Sequence, residues 1–282
     1  MAKKSKKAPT KFFTVSTQEK ERAPLAFSTK KARLHGPEKK LVLKQYRAID
    51  KKPLKLMTEE ELRTVADLAL KLGWKEEAIR FLTRLESLLK STIVIKNLKL
   101  EVADINFDRG ALKLSAQGYQ DFLTLYPGDK KADYAEYKCL ISNQNMMLKA
   151  DRDQTPTYKT RALAQSLIEK NNQYSKDVHT ILRTCNYTLY DHEVTVFEYY
   201  MKKGSTKAAE TRLAALKKEY QNLLPDTQPK NLHMEYRLAQ AKNDAPRANR
   251  LYAQLSSRFP GYATKIAHNN SPTTKKNYVA FF

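Results

Sequence analysis

Tyr119-Gln-Asp-Phe122-Leu-Thr-Leu-Tyr126-Pro127-Gly128 and Tyr252-Ala-Gln-Leu255-Ser-Ser-Arg-Phe259-Pro260-Gly261 lie far apart in the chain and close in the same way. Each runs an apolar stripe at helical spacing into an aromatic residue and then a Pro-Gly stop. Proline lacks the N–H that a further helical turn needs, and glycine tolerates the turn that follows. Each therefore reads as the second half of a helical hairpin. A hairpin that recurs implies stacked helix pairs sharing one continuous core and presenting a concave surface. That architecture points to binding rather than catalysis.

Working outward, order begins at Thr58-Glu-Glu-Glu61, a capping box followed by Leu62, Val65, Ala66 and Ala69. The tetratricopeptide (TPR) pattern can be laid on from there: small residues where two helices approach, large apolar ones between hairpins, a breaker at the end. The first unit has Gly73 at its turn, Ala78 as the small contact, and Leu82 and Leu85. The second has Ala103 and Gly110, then Ser115, Ala116, Tyr119 and Phe122. The third, the most degraded, pairs residues 134–147 with 161–170, after an insertion at 149–157. The fourth has a long first helix through Val194 and Phe197, a turn at Gly204, then Ala209, Leu213 and Leu216. The fifth has Tyr236, Ala239, Ala248, Tyr252 and Leu255. The expected fold is all-α, a TPR-like superhelix of about five repeats over residues 58–260. Residues 1–57 are expected to be a basic, largely flexible lead-in punctuated by Pro9, Pro24, Pro37 and Pro53, with room for one short helix near Leu41–Tyr46. Residues 261–282 are expected to be a flexible tail.

The 282 residues carry a formal net charge of +22, and hydrophobic content of 41% is enough for a real core. The charge is uneven: residues 1–57 hold 17 Lys and Arg against 4 Asp and Glu. Such a segment suits nucleic acid, an acidic partner or an anionic membrane surface. No zinc finger or RRM signature is present, so nucleic acid is the least supported of these. No run approaches the roughly 18–20 apolar residues of a membrane span. No apolar leader follows Phe12-Phe13 and no cysteine precedes Cys139, so neither a signal peptide nor a lipobox is visible in this stretch.

No chemistry of catalysis is evident. His179, His192 and His233 lack metal-ligand partners at i+3 or i+4, and His192-Glu193 has no second histidine four residues on. Asp151 and Asp153 sit in a turn where carboxylates ordinarily cap the following helix. Cys139 and Cys185 belong to no CxxC pair and read as small buried thiols. No cofactor or metal is expected. The aromatic inventory, 16 Tyr against 10 Phe and one Trp, says more, because tyrosine buries a ring while keeping a polar tip. Tyr119, Tyr252 and Phe259 read as structural. Tyr134, Tyr137, Tyr199 and Tyr200 are too closely spaced for all to face the core, so some must line a surface.

In the third and fourth units the sequence grows more specific. Asp133-Tyr-Ala-Glu-Tyr137, Asp151-Arg-Asp-Gln-Thr155, Glu198-Tyr-Tyr-Met-Lys-Lys-Gly204 and Ala208-Ala-Glu-Thr-Arg212-Leu213 follow in order, with Tyr220 after them. Over roughly residues 58–260 the chain resembles the BamD (ComL/YfiO) family, TPR lipoproteins of outer-membrane β-barrel assembly. Where the family usually has Tyr-Pro-Asn-Ser, this chain has Asn171-Asn-Gln-Tyr174-Ser175, without the proline. The resemblance implies a scaffold at the periplasmic face of the outer membrane, with unfolded outer-membrane proteins on the first repeats and a POTRA-containing assembly protein on the later ones. It makes Arg212, Tyr199 and Tyr200 partner-binding residues and Trp74, Tyr134 and Tyr137 substrate-groove candidates. The alternative from another class is a cytoplasmic TPR adaptor whose basic lead-in holds nucleic acid, acidic protein or anionic lipid.

Overall fold

The computed structural model describes residues 35–269. Among them are twelve α-helices, two short 3-10 turns and no strand. The helices are α1 (Gly36–Asp50), α2 (Glu59–Leu72), α3 (Lys75–Glu86), α4 (Thr92–Asp108), α5 (Leu112–Leu125), α6 (Ala132–Gln144), α7 (Thr155–Ile168), α8 (Ser175–Lys202), α9 (Thr206–Tyr220), α10 (Gln228–Ala241), α11 (Ala245–Arg258) and α12 (Pro260–Asn269). Each packs on its neighbours in chain order, which makes an all-α, TPR-like array.

Four hairpins close by one backbone device. Gly73, Gly110, Gly204 and Asn243 take φ of 83°, 78°, 72° and 59°. The next residue's N–H then returns to a carbonyl five residues back: Trp74 to Ala69, Ala111 to Asn106, Ser205 to Tyr200 and Asp244 to Ala239. This satisfies carbonyls that a helix end would otherwise leave unpaired. Glycine reaches that region without steric penalty, and asparagine is among the few side chains that tolerate it. The first hairpin also has the expected cap: the Thr58 hydroxyl accepts from Glu61 N–H while the Glu61 carboxylate accepts from Thr58 N–H.

Small residues sit at the helix contacts as their pattern requires: Ala78 and Ala209 are fully buried and Ala248 nearly so. Replacing one by a bulky side chain overpacks the contact, at a cost of roughly 1–3 kcal/mol. The core is a chain of local clusters. Leu62, Val65, Phe81 and Leu82 form one, and Tyr119, Phe122, Ala135 and Cys139 another. Helix α8 has 28 residues and spans about 42 Å. Its first half packs Val178, Ile181 and Cys185 on Ala164 and Leu167 of α7. Its second half packs Leu189, Tyr190 and Phe197 on Leu213 and Leu216 of α9 and Met234 of α10. Accordingly α6 packs most heavily on α5 and α7 on α8, and α6–α7, the most degraded unit in sequence, packs less closely than the other four expected hairpins.

Two expectations need correction. Residues 36–50 form a 15-residue helix packed on the array, where the sequence left room only for a short helix near Leu41–Tyr46 in a largely flexible lead-in. Pro37 stands in the first turn, where its missing N–H does no harm. Val42, Tyr46 and Ile49 then make an apolar stripe that joins the first core cluster. Tyr46 is buried, with its ring 5.0 Å edge-on from Trp74 and 6.3 Å from Phe81. The remainder of the expected lead-in, residues 1–34, lies outside the described residues. At the other end, residues 260–269 form α12 rather than the start of a mobile tail. Pro260-Gly261 stops α11 and also opens the next helix, and Ala263 and Ile266 pack on Leu255. Residues 270–282 lie outside the described residues.

Candidate partner-binding surface

Arg212 stands on α9 facing α8, its Nη1 3.7 Å from Glu193 Oε2. That separation is an ion pair but not a hydrogen bond, and the Glu193 oxygen is buried without a hydrogen-bonding partner. The guanidinium remains half exposed. Beside it, Arg161 of α7 donates to Glu219 of α9 at 2.7 Å and lies 5.9 Å from the Tyr220 ring. Exposed Tyr158, one turn earlier on α7, sits between these acids: partial burial first, then Glu193 and Glu219, raises its phenol above the ordinary tyrosine value. Helices α7, α8 and α9 thus converge on a surface where two arginines, two glutamates and an aromatic ring alternate.

Tyr199 and Tyr200 are not part of that cluster. Their rings meet edge-on at 5.5 Å. Tyr200 packs on the core of the later helices, whereas Tyr199 is 55% exposed with Lys203 5.9 Å above its ring. Six residues separate Tyr199 from Glu193, which turns it about a third of a revolution away along α8. On the same side of α8, two turns earlier, His192 Nδ1 is 2.7 Å from the Ala150 carbonyl, which ties the 145–154 connection to α8 there. Within that connection the Asp153 carboxylate, just before α7, accepts from Thr155 N–H at 3.0 Å.

The groove candidates separate likewise. Trp74 lies at the α2–α3 turn, 41% exposed and edge-on to Tyr46. Tyr134 donates to Asp104 at 2.8 Å, and Tyr119 donates to the same oxygen at 2.5 Å. Tyr137 stacks on Tyr174 at 4.2 Å and donates to Asp177 at 3.0 Å. Burial, with the Asp177 hydrogen bond, pushes its phenol up to about 12. The residue after Trp74 reaches α4, and α4 in turn meets α6. Neighbouring Lys75 donates to the Asp108 carbonyl at 2.5 Å, and Lys138 lies 3.7 Å over the Phe107 ring and 6.0 Å from that of Tyr134.

Sequence reasoning missed Asp104, Tyr158, Tyr174 and Glu193. Asp104 was the findable one, a carboxylate flanked in sequence by Ala103 and Ile105, in a helix that must bury its apolar residues, where a buried carboxylate demands donors. Burial raises its carboxyl above the ordinary aspartate value, although the two phenol donors and Lys138 pull the other way. Cys139 and Cys185 are buried free thiols, and burial lifts Cys185 to about 11. Among the described residues no cluster of three or more His, Cys, Asp or Glu could hold a metal ion. No described helix is long and apolar enough to cross a membrane.

This fold and surface define a helical-repeat protein of the TPR-like class. Residues 55–254 match the family described as YfiO: Outer membrane lipoprotein. The chain belongs to that family, the BamD-like outer-membrane assembly lipoproteins. Among similar proteins is the outer membrane protein assembly factor BamD of Caulobacter vibrioides, 28% identical over 142 residues, which cover 50% of this chain and 46% of that protein. The match therefore spans about half the length of each.

Proposed function

We propose that this chain is a non-enzymatic scaffold at the periplasmic face of the outer membrane. Its later helices dock a POTRA-containing barrel-assembly protein, and its earlier helices receive outer-membrane β-barrel precursors. The observation that carries the docking half is Arg212. Half exposed and 3.7 Å from Glu193, it keeps its planar fork available for a partner carboxylate beside exposed Tyr158. At the other end Trp74 offers the open apolar face. The phenols of Tyr134 and Tyr137 are already committed to Asp104 and Asp177, so these tyrosines act as groove walls rather than hydrogen-bonding hands.

The test is calorimetric titration of the cognate POTRA fragment into wild type and Arg212→Ala. An arginine buried in the contact should weaken association by about 2 kcal/mol, or roughly thirtyfold, on removal. The melting temperature is measured alongside, because removing Arg212 also leaves the mostly buried Glu193 carboxylate without its ion-pair partner. Equal affinities would take Arg212 out of the contact. Failure of the wild type to bind would remove the POTRA reading itself.

A further inference from the structure

Helix α1 has two unlike faces. Val42, Tyr46 and Ile49 enter the core. On the opposite side Lys40, Lys44, Arg47 and Lys51 recur at i, i+4, i+7 and i+11, which at about 100° per residue gathers them into one stripe roughly 60° wide. All four are exposed, and among the described residues none is in a salt bridge. The two acidic residues of the helix lie off the stripe: Asp50 is turned toward Arg80, 3.9 Å away, and Glu38 falls about 160° around the helix from Lys40. Bordering the stripe, Leu41 is 58% exposed, and just past the helix Leu56, next to Lys55, is 66% exposed.

We propose that α1 is a membrane-surface helix whose Lys40–Lys44–Arg47–Lys51 stripe lies against the headgroups of an anionic phospholipid bilayer. Leu41 sits at the headgroup–acyl boundary. Cations alone would suit any polyanion. The exposed leucines favour lipid, because a phosphodiester backbone offers an apolar side chain nothing, whereas a bilayer boundary buries it. The first 34 residues add ten Lys and Arg against two Glu, a charge of the same sign. Such a contact would set the orientation of the array on the membrane. It is independent of POTRA docking, and the two are measured separately.

The experiment is co-sedimentation of the full chain with vesicles of phosphatidylcholine, with and without phosphatidylglycerol. Wild type should bind only the anionic vesicles and release them as salt rises, since screening shortens the reach of each charge. Each cation near the surface is worth roughly fivefold in partitioning. The quadruple variant Lys40→Gln, Lys44→Gln, Arg47→Gln, Lys51→Gln should therefore bind at least about thirtyfold more weakly, with an unchanged circular dichroism spectrum. If that variant folds poorly, Lys44→Gln alone should lose about fivefold. Leu41→Ser should weaken vesicle binding several-fold and leave binding to a single-stranded oligonucleotide unchanged. Neutralised stripe variants that bind vesicles as well as wild type would overturn the proposal, as would a wild type that ignores anionic vesicles. Tighter binding to the oligonucleotide than to vesicles, indifferent to Leu41, would assign the stripe to nucleic acid instead and equally overturn it.

Discussion

The α4–α5 and α10–α11 hairpins are built on one template and finished differently. Their turns superpose in kind, with Gly110 and Asn243 left-handed and the following N–H returning to Asn106 or Ala239. Their ends do as well: Tyr126 and Phe259 stand at φ −136° and −137°, immediately before proline. Phe122 and the matching Leu255 are both fully buried. Yet Tyr119 is 0% exposed and its counterpart Tyr252 is 39% exposed. What differs is what surrounds the ring. In α4–α5, Ala103 meets Gly118, where an added Cβ would lie 3.0 Å from Ala103 Cβ. Tyr119 reaches Asp104 in the same hairpin, and α6 covers it with Tyr134 and Ala135. In α10–α11 the corresponding positions are Tyr236 and Leu251, and Tyr252 lies outside, its ring 5.5 Å from that of Tyr236. Arg237 occupies the place of Asp104 and reaches away to Glu198 of α8 at 2.9 Å. A repeat motif thus fixes the backbone, while the burial of its aromatic depends on the facing residue and on the next helix.

The contrast can be broken most directly at the two tyrosines. Tyr119→Ala removes a fully enclosed ring and strips a buried carboxylate of a donor, so it should cost about 3–5 kcal/mol. Tyr252→Ala should stay within about 1 kcal/mol. Urea denaturation of the two variants checks this, and similar losses would mean that the exposed ring does structural work not visible in its packing. Gly118→Leu sharpens the comparison by placing the α11 residue in α5. With Ala103 already at the limit of contact, the added side chain should force the hairpin apart and cost about 1–3 kcal/mol or more, despite leucine's better helix propensity. A stabilised Gly118→Leu protein would show that the close approach is incidental.

These two hairpins also show how far the sequence could be read. Turn glycines, the Thr58–Glu61 box and the small contacts Ala78, Ala209 and Ala248 act within a few residues of one another, so local pattern sufficed to find the hairpins. Helix α1 was read only as room for a short helix near Leu41–Tyr46, because Pro37 and dense charge resemble a linker, while only three residues, Val42, Tyr46 and Ile49, carry its packing. Helix α12 was passed over because Pro-Gly was read as a stop alone. The surface was legible in part. Arg212 stood out as a long charged residue in a specific block, but its pair with Glu193 forms across an antiparallel hairpin, where spacing gives no signal. The separation of Tyr199 from Arg212 likewise follows from helix phase and from α7 ending before that point.

The smallest effect expected is a pH dependence that one hairpin has and the other lacks. Burial holds the Asp104 carboxyl above its ordinary value, about 3.9 in an unfolded chain. Between those two values the folded protein binds more protons at this site than the unfolded one. Stability from Asp104 is therefore full below the ordinary value and is lost as pH rises through the raised one. Asp104→Asn should abolish that loss, so its stability relative to wild type should improve from acid toward neutral pH. Tyr119→Phe should do the reverse: with one phenol fewer, the carboxylate is harder to ionise, the window extends upward, and the deficit should approach about 1–3 kcal/mol at neutral pH while shrinking in acid. In the α10–α11 hairpin, Tyr252→Phe should give a pH-independent difference near zero, because Tyr252 has no buried carboxylate to serve. Denaturant midpoints across the acid range decide it. Parallel curves for wild type and Asp104→Asn would mean that water or Lys138 keeps Asp104 ionised at little penalty, and the Tyr119–Asp104–Tyr134 contact would then count as ordinary packing.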